Sequence, residues 1–142
     1  MQRGDPKYSA IIPPSGGYEK LKSYQVAKLL YSVTVRFVDR HIPNGSRTKD
    51  QMEQAARSGE RNIAEGSKIS TTTKKLELNL TSVARASLDE LRLDYESFLE
   101  QRKLPVWEPM DPRRKELSNA RCTNADEVAR WIKMLWEREQ AE

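Results

Sequence analysis

The chain has 142 residues, 37% of them hydrophobic and 32% charged. That length gives one domain with a real core and leaves no room for two comfortable ones. With six glycines, two phenylalanines and few β-branched runs, the composition argues against a sheet, and no apolar run approaches the roughly 20 residues of a membrane span. The single cysteine, Cys122, cannot form an intrachain disulfide, which fits a reducing compartment. The N-terminus has no apolar core of an export signal, so a cytoplasmic location is expected. The net charge of +4 is unevenly spread. Residues 1–75 carry fourteen Lys/Arg against seven Asp/Glu, and residues 76–142 carry eleven against fourteen. The first half is therefore where a polyanionic partner would bind.

Residues 1–17 contain three prolines and three glycines without periodicity and are expected to form a flexible arm ending in "PPSGG". A first helix is expected from about Tyr18 to His41. Its apolar residues Tyr24, Val26, Ala27, Leu30, Tyr31, Val33, Val35, Phe37 and Val38 cover an arc of roughly 200°, wider than one core contact requires. The helix should therefore touch two surfaces, with Tyr24, Tyr31 and Val35 available for a subunit interface. "HIPNGS" ends it, because Pro43 cannot continue the ladder and Asn44-Gly45 favours a turn. A second helix is expected from about Thr48 to Glu65, opened by a Thr48/Gln51 capping box. On it Met52, Ala55, Ala56, Gly59 and Ile63 share a face. A glycine in mid-helix costs about 1 kcal/mol relative to alanine, so Gly59 is expected where another helix comes close, beside Ala55 and Ala56.

The longest helix is expected over about 73–104, with Leu76, Leu80, Val83, Ala84, Leu88, Leu91, Tyr95, Phe98 and Leu99 on one face. "LPVWEPMDP" breaks it, a short helical piece follows over 113–121, and a last helix spans about 125–140. Asn124 and Glu127 form a second capping box there, and Val128, Trp131, Ile132 and Leu135 point inward. Periodic segments joined by short connections describe an all-α protein, an antiparallel up-and-down four-helix bundle over residues 18–142.

The stretch "RNIAEGS" (61–67) holds an amide, a carboxylate, a glycine and a hydroxyl within seven positions. A phosphate-binding loop would set glycines between a strand and a helix N-terminus. Here a helix precedes Gly66, and its carbonyl end repels phosphate. Gly66 is therefore expected to close the helix in a left-handed conformation, with Asn62 and Glu65 hydrogen bonding to the following connection. The motif is architectural.

"YQVAKLLYSVTVRF", "QMEQAARSGERNIAEGS" and "LNLTSVARASLDELRLDYE" together resemble a bacterial four-helix bundle family whose founding members are encoded within intervening sequences of 23S ribosomal RNA genes. The matching segments are Tyr24 to Leu30, Ser58 to Gly66 and Ser87 to Leu91. The proline-rich arm and the extension from about 105 depart from the pattern. The resemblance implies a small bundle that assembles as a ring-like homopentamer. Through the related accessory proteins of diversity-generating retroelements, it also implies association with a reverse transcriptase and nucleic acid. It implies no enzyme activity.

Catalytic and metal chemistry find little support in the sequence. His41 is the only histidine and sits at a helix end, and one His and one Cys fall short of a zinc site. The carboxylates Asp89/Glu90 and Asp94/Glu96 fall beside solvent-facing positions, without the inward Glu-x-x-His repeats of di-iron bundles. No catalytic residue, metal or cofactor is expected. What remains are basic strips: Lys22, Lys28, Arg36 and Arg40 on the first helix, and Arg47, Arg57 and Arg61 on the second. Repeated around an oligomer, they would contact phosphates without reading sequence. The expected function is a non-enzymatic, homo-oligomeric scaffold associated with RNA or DNA. The alternative is a purely protein-binding oligomer whose positive charge is incidental.

Overall fold

The computed structural model describes residues 21–69 and 73–142, and every regular element among them is a helix. In chain order these are α1 (Lys22–His41), α2 (Arg47–Ile69), α3 (Lys74–Gln101), α4 (Pro112–Ala120) and α5 (Ala125–Ala141). The expected arm at 1–17 and the expected start of the first helix at residues 18–20 lie outside the described residues.

Helices α1, α2 and α3 form the main core. Tyr24 of α1 donates to Glu60 at 3.1 Å, and Asp39 pairs with Lys49 at 2.9 Å. The start of α1 therefore lies beside the middle of α2, and the end of α1 beside the first turn of α2. Val38, Met52, Ala55, Ala56 and Leu91 cluster at the centre, with Leu30, Tyr31, Phe37, Ile42 and Tyr95 packed around them. Thr34 is the one buried polar side chain among the described residues, and its hydroxyl lies 2.8 Å from that of Tyr95. That bond joins α1 to α3 and satisfies a group that would be costly to bury alone. The Phe37 ring meets Tyr95 and Phe98 at centroid distances of 4.9 and 4.8 Å, close enough to add directional stacking to area burial.

Between α2 and α3 the contact is close because the facing side chains are small. A Cβ placed on Gly59 would lie 2.5 Å from Leu88 Cδ2, so only glycine leaves room for that leucine. Immediately before Gly59 and Leu88, the Ser58 and Ser87 hydroxyls meet at 2.9 Å.

The expected stop at Gly66 does not occur. Helix α2 runs on to Ile69, and Ser67 Oγ donates to the Ile63 carbonyl at 2.9 Å inside it. Gly66 is buried, and a Cβ there would sit 3.6 Å from both the Glu77 carbonyl and Leu80. A glycine after a helical run can end the helix or admit a neighbour, and here α3 packs over it. Gly45 instead takes the positive φ, +81°, in the turn after α1.

Helix α2 is opened by Ser46 rather than Thr48: the Thr48 amide donates to Ser46 Oγ at 3.2 Å. Helix α3 ends at Gln101, three residues before the expected Leu104, and Lys103 adopts φ 57° just beyond it. Its buried residues are Ala84 and Leu91. Leu76 and Val83, expected inside, are exposed because the helical repeat sets them on the flank of that stripe, and Leu78 and Leu93, farther round, are exposed too.

Helices α4 and α5 are joined mainly by charged and aromatic groups. Asp111 caps α4 by accepting the Arg113 amide at 2.9 Å, with Pro112 at the first helical position, where its missing N–H costs nothing. Arg113 also reaches Asp111 Oδ2 at 2.7 Å and Glu139 at 2.9 Å, and its guanidinium lies 4.5 Å from the centre of the Trp107 ring. Arg138 pairs with Glu116 at 2.9 Å, and Trp107 meets Trp131 edge-on. On α5, Ala125, Val128, Trp131 and Leu135 are buried. Ile132, expected inward, is 53% exposed because it lies on the flank of that stripe. The Asn124/Glu127 box forms with a shift: Asn124 Oδ1 accepts the Glu127 amide, while the Glu127 carboxylate accepts the Thr123 amide.

Candidate nucleic-acid interface

The seven basic residues expected to contact phosphates fall on the two helices whose contact is marked by Tyr24–Glu60 and Asp39–Lys49. On α1, Lys22, Lys28 and Arg40 are exposed, whereas Arg36 is half-buried. Arg36 does not face open solvent as expected: its Nη1 lies 2.9 Å from Asp126 Oδ1, on the first turn of α5. The second surface touched by α1 is thus supplied by the chain's own C-terminal helix. Tyr31 and Val35, expected at a subunit interface, line a shallow open depression with Ser32, Arg36, Asp39 and Ala125. Tyr24 is engaged by Glu60.

On α2, Arg47, Arg57 and Arg61 are exposed, and they lie away from the Met52–Ala55–Ala56–Gly59 face because the helical repeat sets them on the opposite side. Arg61 has only a distant neighbour, Glu60 Oε2 at 3.7 Å. Among the described residues Arg57 has no carboxylate partner. Lys49 is different: the hydrogen bond it donates to Asp39 raises its pKa and ties it to the end of α1. Three arginines of α3 and the C-terminal helices are likewise engaged. Arg92 bridges Asp89 and Glu96, and Arg113 and Arg138 hold their carboxylates as above.

The residues of the "RNIAEGS" motif stay within α2. Asn62 Nδ2 donates to the Ser58 carbonyl at 2.8 Å and to Ser58 Oγ at 3.1 Å, not to the following connection as expected. It thereby orients the serine that meets Ser87 on α3. Glu65 is exposed and lies 3.5 Å from Lys68, one turn along the same helix. The motif serves the α2–α3 contact.

His41 ends α1 and stacks on Phe37 at 4.9 Å. Cys122 is a half-buried free thiol beside Arg130 and Trp131 in a second shallow depression. Asp94 is half-buried rather than solvent-facing, and burial followed by the nearby Glu90 carboxylate raises its pKa. Burial also raises the pKa of Tyr95, opposed by its bond to Thr34. Among the described residues no group of three His, Cys, Asp or Glu side chains is placed to hold a metal ion, and no helix is long and apolar enough to cross a membrane.

The residues missed from sequence are Asp111, Arg113 and Asp126. "Asp-Pro" before a helix is a readable start signal, with Asp as the cap and Pro at the first position. Nothing in the sequence marks Asp126 as the partner of an arginine 90 positions earlier. Comparison with protein-family models, with curated proteins and with solved structures finds no match.

Proposed function

We propose that this protein is a non-enzymatic helical scaffold that self-associates and binds RNA or DNA through the outward face of α2 and the cations of α1. The observation that carries this is the arrangement of the arginines of α2. Arg47, Arg57 and Arg61 lie exposed on the side away from the packed face, and among the described residues Arg47 and Arg57 have no carboxylate within 4 Å and Arg61 has one only at 3.7 Å. A face on which exposed arginines outnumber the carboxylates beside them, here Asp50 and Glu65, is the ordinary electrostatic footprint of a phosphate partner. Self-association draws support from the exposed Leu76, Val83, Leu78 and Leu93 of α3. In the bundle reading, α1, α2 and α3 follow an antiparallel up-and-down order and α5 is the fourth, outlying helix. Assembly as a pentamer, a cytoplasmic location and a reverse transcriptase as protein partner belong to the same proposal through the family resemblance.

The test is a titration of random-sequence RNA and of duplex DNA at two salt concentrations, with wild type and the Arg57→Gln/Arg61→Gln variant. Each phosphate neutralised contributes a salt slope of about −0.9 on duplex DNA, so wild-type affinity should fall steeply with salt. The double variant should bind all sequences more weakly by the same factor, with a slope shallower by about two. Absence of wild-type binding at low salt would leave the protein-only scaffold. Full binding by the double variant would move the interface elsewhere. A monomer mass by light scattering at micromolar concentration would refute self-association.

A further inference from the structure

Helix α5 meets the main core through α1, and it does so with its first turn. Ala125 closes one end of the depression that Tyr31, Ser32 and Val35 line, and Asp126 reaches Arg36. Among the described residues, Lys22, Lys28 and Arg40 of α1 have no carboxylate partner, so Arg36 is the cation of that strip that α5 occupies. The two acidic residues of the turn differ in use. Glu127 is consumed by the cap, accepting the Thr123 amide at 2.8 Å. Asp126 takes no part in the cap and spends its carboxylate on α1. Its side chain is 70% exposed and that of Arg36 39% exposed, so water and salt screen the pair and its net contribution is small. The ties within the C-terminal region are separate from this contact: Arg113 on Asp111 and Glu139, Arg138 on Glu116, and Trp107 on Trp131. Lifting α5 from α1 breaks none of them.

We infer that the first turn of α5 is a built-in competitor for the basic strip of α1: Asp126 holds Arg36 in the place of a phosphate, and a bound polyanion displaces it and releases α5 from α1. This rests on the nucleic-acid reading proposed above. The exchange is balanced in charge, since one carboxylate leaves Arg36 as one phosphate arrives. It is driven by the array, because a nucleic acid brings neighbouring phosphates to Lys28 and Arg40 and Asp126 brings one charge. The uncovered surface would include Tyr31 and Val35.

The experiment uses the full chain, spin-labelled at native Cys122 and at a second cysteine introduced as Gln54→Cys on the exposed face of α2. The distance between labels is measured with and without single-stranded random-sequence RNA, and RNA affinity is measured in parallel on unlabelled protein. The free protein should give one narrow distance, and RNA should lengthen or broaden it. Asp126→Asn should broaden the distance toward the released one without RNA, as loss of a weak exposed pair allows, bind RNA several-fold more tightly, and steepen the salt slope by about one. Arg36→Gln should broaden the distance equally without gaining affinity, since the cation itself is gone, and Arg36→Lys should restore the narrow distance. Circular dichroism matching wild type confirms that each variant folds. Asp126→Asn with wild-type affinity and slope, or RNA bound at an unchanged label distance, overturns the competitor and leaves the binding reading standing. No RNA binding by either protein at low salt overturns both.

Discussion

The two parts of this molecule are held together by different physics. In α1–α3, Met52, Ala55, Ala56 and Gly59 let helices approach until Leu88 and Leu91 fill the space between them, and Thr34–Tyr95 is an internal polar bond. In α4–α5, an arginine with three partners, a second ion pair and an edge-on tryptophan contact replace most of that close packing. Apolar contact of the first kind is nearly indifferent to salt and to pH near neutrality, whereas exposed ion pairs are screened by salt and lost when a carboxylate protonates. The first part is suited to be a rigid frame. The second responds to the ionic environment, as the proposed exchange of a carboxylate for a phosphate requires.

The strongest way to break this contrast is to truncate a buried side chain of the frame. Leu91 is 1% exposed, and Leu91→Ala should cost about 2–5 kcal/mol by lost transfer energy and residual cavity. Chemical denaturation followed by far-ultraviolet circular dichroism should show the whole α1–α3 transition move. A transition unchanged within error would mean that this cluster is not the stabilising core.

The two glycines of α2 sharpen the comparison from within the frame. Gly59→Leu drives a side chain into Leu88 and should destabilise by about 1–3 kcal/mol or more. Gly66→Ala should act the other way. Its Cβ meets neighbours at ordinary contact distances of 3.6–3.7 Å, and alanine gains helix propensity of up to about 1 kcal/mol. A melting temperature raised by Gly66→Ala and lowered by Gly59→Leu is the expected pair. The same sign for both would contradict the α2–α3 geometry.

Acid provides the gentlest probe, and it should act on the C-terminal region. The Arg113 side chain and amide, both hydrogen bonded to Asp111, lower its carboxyl to a pKa of about 2. A depressed carboxyl stabilises the fold above its unfolded value of about 3.9, and that contribution is lost as pH falls toward the folded value. Trp107, Trp131 and Trp136 all lie in this region, so tryptophan fluorescence reports on it alone. A change should develop between about pH 4 and pH 2 that Asp111→Asn removes. A variant that retains the full acid transition would place its origin elsewhere.

The sequence by itself determined that the described elements are helical, where three of the breaks between them fall, and which face of α2 is apolar. These are local matters of periodicity, proline and small side chains, decided within a few residues. Asn124 as a cap was legible for the same reason, and Asp111–Pro112 would have been. What only the tertiary structure decided is what each surface meets. Glycine permits both a left-handed stop and a close neighbour, and it is α3 lying over Gly66 that selects the second. The wide apolar arc of α1 called for a second surface, expected to be another subunit, and Ala125 and Asp126 of the same chain lie against it from the far end of the sequence. Leu76 and Val83, expected with the core residues of α3, lie on the flank of the stripe centred on Ala84 and Leu91 and stay exposed. Periodicity fixes the direction in which a side chain points along its helix, whereas burial and charge pairing depend on which distant residue arrives there.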